Sequence, residues 1–370
     1  MEFRDASSIT LNGKFYDRDA LLDFAMAGMD HADSKPRQKS IYRFLTEWLD
    51  EKDHVVVKTS GSTGSPKNIP IQKNLMVHSA LKTGRFLGLA RDDRALLCLP
   101  AEYIAGKMML VRAMVLGLDL TMVEPSSNPL ADMDASFAFC AMVPLQVHEI
   151  LKDGTGIRKL NRIQNLIIGG GPVSEALRKK VRHLANRSFS TYGMTETITH
   201  IAMEPLNGPH ADGFLEALPG VKIKPDSEGR LIIEAPGIAP GPVHTNDLAE
   251  IKDEKRFRIT GRYDNIIISG GIKLIPEVIE KKIGRLISGR FIISSLPDER
   301  LGEMPVLVLE GKVGNEFSEN ELLNKIAVQL NKHQKPKQIF YLQSFPEAGN
   351  RKINRRKIRE AIVGSGINPL

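Results

Sequence analysis

Thr59-Ser60-Gly61-Ser62-Thr63-Gly64-Ser65-Pro66-Lys67 has the make-up of a loop that meets a polyphosphate. Gly61 and Gly64 permit backbone conformations that point several N–H groups into one concavity, the hydroxyls add donors, and Lys67 adds a cation. It is not a Walker A loop, because that pattern needs Gly-Lys-Ser/Thr and here Pro66 intervenes. A plain Ser/Gly surface loop is the alternative. Farther on, Gly169, Gly170 and Gly171 follow the apolar run Leu166-Ile167-Ile168. A flat ring or a phosphate could approach the backbone there, although an ordinary strand-to-helix turn would use the same glycines. In Thr191-Tyr192-Gly193-Met194-Thr195-Glu196-Thr197, Thr195 could donate to a phosphate, and Glu196 offers a hard oxygen ligand for Mg²⁺. Asp247 could hold both hydroxyls of a ribose, and Arg262 could bridge ribose and phosphate with its planar fork. An exposed ion pair would use the same two side chains. Lys352 comes last, six residues after Pro346, among the basic neighbours Arg351 and Arg355.

These segments need a scaffold, and the hydrophobic pattern supplies one. Asn12-Gly13 between 9–11 and 14–16 is a hairpin signal, since both turn positions tolerate positive φ. Helical patterns follow over 18–29 and 38–51. Strands are expected at 55–58, 95–99, 120–123, 137–143, 163–168 and 187–190, alternating with helices near 73–87, 104–117, 144–152 and 174–185. That alternation predicts an α/β fold with largely parallel, buried strands. After residue 205 the texture changes to short strands and Gly/Pro turns. Beyond Gly261 a smaller α+β unit is expected, with strand 265–269, helix 276–287, strands 291–294 and 305–310, a helix near 319–332, strand 338–342 and a final basic helix. The boundary falls at 263–265, dividing the chain into 1–263 and 264–370.

Composition sets outer limits. The 370 residues are 42% apolar and 26% charged, ordinary for a globular chain. Cys98 and Cys140 both sit in apolar runs and read as buried, which builds neither a disulfide framework nor a metal cluster and fits a reducing cytoplasm. The opening MEFRDASSIT lacks the pattern of a signal peptide. No apolar run approaches the roughly 20 residues needed for a membrane span. The net charge of +7 is concentrated near the C-terminus, in RKINRRKIR. A nucleic-acid-binding protein is one reading of that run, but one tryptophan, few aromatics and no recognisable binding module argue against it. Nothing in the sequence fixes an oligomeric state.

Taken together and in this order, the segments resemble the acyl-CoA synthetase, nonribosomal adenylation domain and luciferase superfamily, from about residue 55 to the end. The resemblance implies ATP, Mg²⁺ and coenzyme A as reactants and a carboxylic acid activated as its adenylate. It makes Thr59 to Lys67 the loop over the β- and γ-phosphates. Thr195 would contact the AMP phosphate, Glu196 would help hold Mg²⁺, and Asp247 and Arg262 would bind the ribose. Gly169–171, Tyr192 and Gly193 would line the nucleotide. Asp264 matches the hinge of a mobile C-terminal domain, Gly270 and Gly271 a glycine face that admits pantetheine, and Lys352 the catalytic lysine.

Departures from the superfamily pattern bear on the acid. Only about 58 residues precede the phosphate loop, where members usually carry a longer region, and Tyr103 stands where a histidine is common. Arg351 replaces a usual glycine and Val278 a frequent acidic residue. The short start and the segment Tyr103-Ile104-Ala105-Gly106-Lys107-Met108-Met109-Leu110-Val111-Arg112 resemble the o-succinylbenzoate–CoA ligases of menaquinone biosynthesis. That acid has two carboxylates, one activated and one held as an anion. Arg112, matching a pocket arginine of that family, and Lys107 could supply the counter-charge, unless both simply face solvent on an amphipathic helix. Thr199 and His200 are further pocket candidates. An aryl- or amino-acid adenylating enzyme that loads a carrier protein is the alternative within the superfamily.

Overall fold

Asn12 and Gly13 adopt φ of 50° and 80°, and the turn they make joins strands Ile9–Leu11 and Lys14–Tyr16. This hairpin closes one edge of the main sheet in the computed structural model, which describes residues 1–31, 35–58, 68–311, 318–348 and 352–364.

The sheet has 13 strands among the described residues. Its centre is parallel, in the order Arg187–Gly193, Ile163–Ile168, Phe137–Met142, Arg94–Leu97, Asp119–Met122 and Ile9–Leu11. Beyond Arg187–Gly193 every pairing is antiparallel, through His200–Pro205, Leu215–Ala217, Arg256–Arg262, Val243–Ile251, Arg230–Glu234 and Lys222–Pro225. The apolar runs at 137–142 and 163–168 are buried on both faces, as central parallel strands must be. The segment at 55–58 departs from expectation. It forms the hairpin His54–Lys58 with Asn68–Gln72, antiparallel and apart from the main sheet. Val55 and Val57 are buried while Val56 is 49% exposed, so the strand alternates even though its three central residues are all valine.

Helices Lys73–Leu87 and Ile104–Leu116 pack on one another and each ends on a left-handed glycine, Gly88 and Gly117. Gly84 permits the close approach, since a Cβ there would lie 2.7 Å from Leu116 Cδ2. Residues 106–115 are buried around the whole circumference of the second helix, Lys107 and Arg112 included. Two other helices are shorter than expected, Pro144–Ile150 and Glu175–Val181.

The chain order reverses between Arg94–Leu97 and Phe137–Met142, and a crevice opens at the carboxyl ends of such strands. Gln146 spans it. Its amide N–H groups donate to Cys98 O and Ser126 O, both at 3.0 Å, and its Oε1 accepts from Val143 N at 3.1 Å. One buried side chain thus ties together the loops leaving three strands.

From Ile267 the chain builds a second sheet, with hairpin Ile267–Ser269 and Ile272–Leu274 beside Gly302–Glu310, Phe291–Asp298 and Ile339–Leu342. The strand Ile272–Leu274 was not expected from the sequence, and helix Pro276–Ile283 stops a turn before residue 287. Helices Glu319–Gln329 and Arg355–Gly364 complete the unit, which has its own buried clusters. Among the contacts that join it to the main sheet, Lys273 pairs with Glu228 at 2.5 Å, and Gly261 lies so close to Ile275 and Glu277 that a Cβ would meet them at 2.4 and 2.6 Å.

Candidate active site

Asp247 and Arg262 face each other in register on neighbouring antiparallel strands. The Tyr192 hydroxyl donates to Asp247 Oδ2 at 2.5 Å, and Arg262 donates to Asp247 Oδ1 at 3.3 Å. Arg262 also forks onto Asp264, with Nε at 3.1 Å and a terminal N–H at 3.0 Å. Burial pushes the Tyr192 phenol well up, and the Asp247 charge pushes it the same way, so the phenol remains a donor. Burial alone would raise Asp264, but the hydrogen bonds and charge of Arg262 outweigh it and hold that carboxyl low. Four sequence candidates therefore meet in one network at the start of the second unit.

Thr195, Glu196 and Thr197 form a single 3₁₀ turn. The Thr197 hydroxyl accepts from Met194 N–H at 3.0 Å and lies 2.9 Å from Thr199 O, which fixes the turn from inside. Thr195 and Glu196 are exposed, and Glu196 makes no hydrogen bond or ion pair among the described residues. Ile198 then takes φ 64° and ψ −58°, and Thr199 N–H reaches back to Thr197 O at 2.6 Å. This is a γ-turn of the rare positive-φ kind, strained for a β-branched residue. Gly193 makes room for it, because a Cβ would lie 2.2 Å from Thr199 O and 2.6 Å from His200 Cα. At Gly169 the nearest atom is a side-chain one, Thr191 Oγ1, 2.4 Å from where a Cβ would stand, while Gly170 has φ 77°.

The turn delivers Thr199 and His200 onto the helix Lys73–Leu87. Thr199 Oγ1 and Ser79 Oγ lie 2.8 Å apart, and His200 Nε2 is 3.1 Å from Thr83 Oγ1. The Thr83 hydroxyl donates its one proton to Ser79 O at 3.0 Å, so at this contact it must accept. His200 is therefore the Nε2–H tautomer, with Nδ1 left as an acceptor. Burial, and then the charge of Arg112, hold its pKa well below the ordinary histidine value. Ser79 and Thr83 carried no signal in the sequence, since hydroxyl residues in mid-helix are commonplace.

Arg112 is 2% exposed, and no carboxylate pairs with it among the described residues. Its guanidinium lies 5.9 Å from the Phe139 ring centroid and one N–H points at Met109 Sδ, while Nε–H has no acceptor. Burial lowers its pKa to about 10, which leaves it charged at neutral pH. Lys107 does not join it. Five residues along a helix is about 140° of rotation, and the Lys107 ammonium faces Glu47 at 3.8 Å and the Phe44 ring at 4.7 Å. Tyr103 is 56% exposed at the start of the same helix.

The remaining candidates lie elsewhere. Gly270 and Gly271, with φ of 57° and 78°, form the two-residue turn of the hairpin that begins the second sheet. Lys352 lies on the two-residue strand Lys352–Ile353, paired with Glu347–Ala348. Thr59, Ser60, Gly61, Ser62, Thr63, Gly64 and Lys67 fall outside the described residues.

Residues 16–241, more than half of the chain, match the family described as AMP-binding enzyme. The chain belongs to the AMP-binding enzyme family. Among curated members, it is 24% identical to a 2-succinylbenzoate–CoA ligase of Listeria monocytogenes over 92% of this chain and 77% of that one. A Lactococcus lactis protein of the same name is 25% identical over 85% and 72%. Among solved structures, an acyl-CoA synthetase (AMP-forming)/AMP-acid ligase II-like protein from Dyadobacter fermentans is 37% identical, covers 89% of this chain and 95% of its own, and superposes with a TM-score of 0.63. An o-succinylbenzoate CoA synthetase from Bacillus subtilis, in complex with its acyl-adenylate intermediate, shares the fold with a TM-score of 0.73 at 17% identity, covering 95% of each chain.

Proposed function

We propose that this AMP-binding enzyme is an acid–thiol ligase that converts o-succinylbenzoate to its adenylate with ATP and then to the coenzyme A thioester. The observation that carries the substrate is Arg112, a buried cation with no counter-ion among the described residues, whose charge is felt at the neutral His200. Burying a charge unpaired is costly. An acid with a second carboxylate removes that cost on binding, whereas a fatty acid would leave it in place. The curated relatives named for that reaction point the same way.

In this reading, residues 1–263 bind ATP and acid, with the ribose on Asp247 and Arg262 and the phosphates on the loop from Thr59 to Lys67. Glu196 and Thr195 offer hard oxygens to Mg²⁺, an ion commonly held by one or two carboxylates together with substrate phosphates. The free carboxylate of Glu196 fits that habit, and the ion would neutralise charge on the phosphates. The acid carboxylate attacks the α-phosphorus and pyrophosphate leaves, with Lys352 drawing the two anions together. The unit from Asp264 onward then turns, withdrawing Lys352 and bringing the Gly270-Gly271 turn toward the incoming pantetheine. The thiolate attacks the acyl carbonyl and AMP departs.

Pyrophosphate release from MgATP, with o-succinylbenzoate, benzoate, a fatty acid and an amino acid supplied separately, with and without coenzyme A, tests the assignment. Selective turnover of o-succinylbenzoate with coenzyme A is expected. Turnover of another acid alone would discard the substrate and keep the adenylating chemistry.

A further inference from the structure

Lys352 stands on a strand of only two residues, too short to hold its own register. Asn354 N–H donating to Pro346 O at 2.8 Å closes the base of its hairpin. Two charge clusters grip the hairpin, one on each strand. On the outgoing side, Arg355 forks onto Glu280 at 2.8 and 2.6 Å and adds a bond to Ile293 O at 3.3 Å. Glu280 in turn accepts from Ile293 N–H at 2.7 Å, so its carboxylate is fixed before the arginine arrives. On the incoming side, Glu310 accepts from Phe345 N–H at 2.6 Å and from Arg290 at 3.2 Å. The same guanidinium nitrogen reaches Glu347 at 2.8 Å, and Glu347 is the partner of Ile353 across the hairpin.

We propose that Arg355 and Arg290 are positioning residues for Lys352, each fixing one strand of the hairpin that presents it; this rests on the role given to Lys352 above. The last helix does not need Arg355 for docking. Ile358 and Ile362 already bury it against Ile292, Val306, Val308 and Phe340. The Arg355–Glu280 pair is not a loose surface one, since its side chains are only 24% and 16% exposed, whereas Arg290 is 40% exposed and owes its hold to bridging Glu310 and Glu347. A two-pronged clamp directly after the lysine strand adds orientation, which is what a group bridging two anions requires.

The test separates the two half-reactions in the full chain. Arg355→Met and Arg290→Met are expected to slow adenylation, read as single-turnover pyrophosphate release, by about 10- to 100-fold. Thioester formation from supplied o-succinylbenzoyl-adenylate and coenzyme A should stay within about twofold, because Lys352 is withdrawn in that step. Arg355→Lys should recover part of the adenylation rate, since an ammonium satisfies one Glu280 oxygen but not both. Equal loss of both half-reactions, or wild-type adenylation in both Met variants, would overturn the proposal. Should Arg355→Met not fold, Arg355→Lys and Arg290→Met carry the same comparison. Lys352→Ala run in parallel isolates the premise: wild-type adenylation there removes the role of Lys352 and the proposal with it, whereas its loss beside intact clamp variants removes the proposal alone.

Discussion

The Tyr192 hydroxyl donates to Oδ2 of Asp247, so the carboxylate assigned to the ribose is already oriented by a residue from the neighbouring nucleotide segment. Arg262 holds the other oxygen. Tyr192→Phe frees one oxygen of Asp247 without disturbing the ring that packs edge-on against Phe257. A hydrogen bond to a charged group contributes about 1.5–3 kcal/mol, so KM for ATP should rise roughly tenfold or more. Saturation kinetics of pyrophosphate release check this, and an unchanged KM would remove Tyr192 from the nucleotide site.

Arg112 sets binding against stability. Arg112→Met removes an unpaired buried cation and refills its volume, which is expected to stabilise the ligand-free protein by about 1–4 kcal/mol. The same change should raise KM for o-succinylbenzoate more than it lowers kcat. Lys107→Met is the contrast: it breaks the pairing with Glu47 and should leave the acid KM unchanged. Thermal melts beside acid saturation curves read both. A destabilised Arg112→Met, or a raised acid KM in Lys107→Met, would contradict the arrangement.

His200 predicts a pH dependence. Its ordinary value is 6.5, and in the folded protein burial and Arg112 hold it well below that. As pH falls beneath 6.5 the unfolded chain takes up a proton there that the folded chain does not. This share of stability is therefore full above 6.5 and declines toward acid, at up to about 1.4 kcal/mol per pH unit. Urea denaturation midpoints between pH 5 and 7 should fall less steeply in His200→Gln than in the wild type. Parallel slopes would refute it.

Gly193→Ala places a methyl group within 2.6 Å of the Thr199–His200 backbone. The strained turn at Ile198 leaves little slack, so the segment must move, costing about 1–3 kcal/mol. Because the 3₁₀ turn of Thr195 and Glu196 runs directly into the γ-turn at Ile198, adenylation should fall along with the melting temperature. A variant that melts lower yet adenylates normally would uncouple the turn from the site.

How far the sequence reached depended on whether the deciding contact was local. The Asn12-Gly13 turn was legible because two adjacent residues must take positive φ. The buried runs at 137–142 and 163–168 were legible because no other environment suits them. The strand expected at 55–58 forms with other neighbours, because an exposed valine conceals alternation and its partner, Asn68–Gln72, carries no signal of pairing with it. The separation of Lys107 from Arg112 follows from helical rotation and could have been read. The meeting of Thr83 with His200 could not, since 117 residues separate the pair. The network of Tyr192, Asp247, Arg262 and Asp264 lay between these cases: its members were identifiable by type, but not the bonds that join them.

Gln146 has a further consequence for the loops it joins. Its amide holds three loop ends to one another, so the backbones that leave those three strands shift as one body and not separately. A substitution that displaces one of these loops is then passed on to the other two, through a side chain that takes no part in the chemistry.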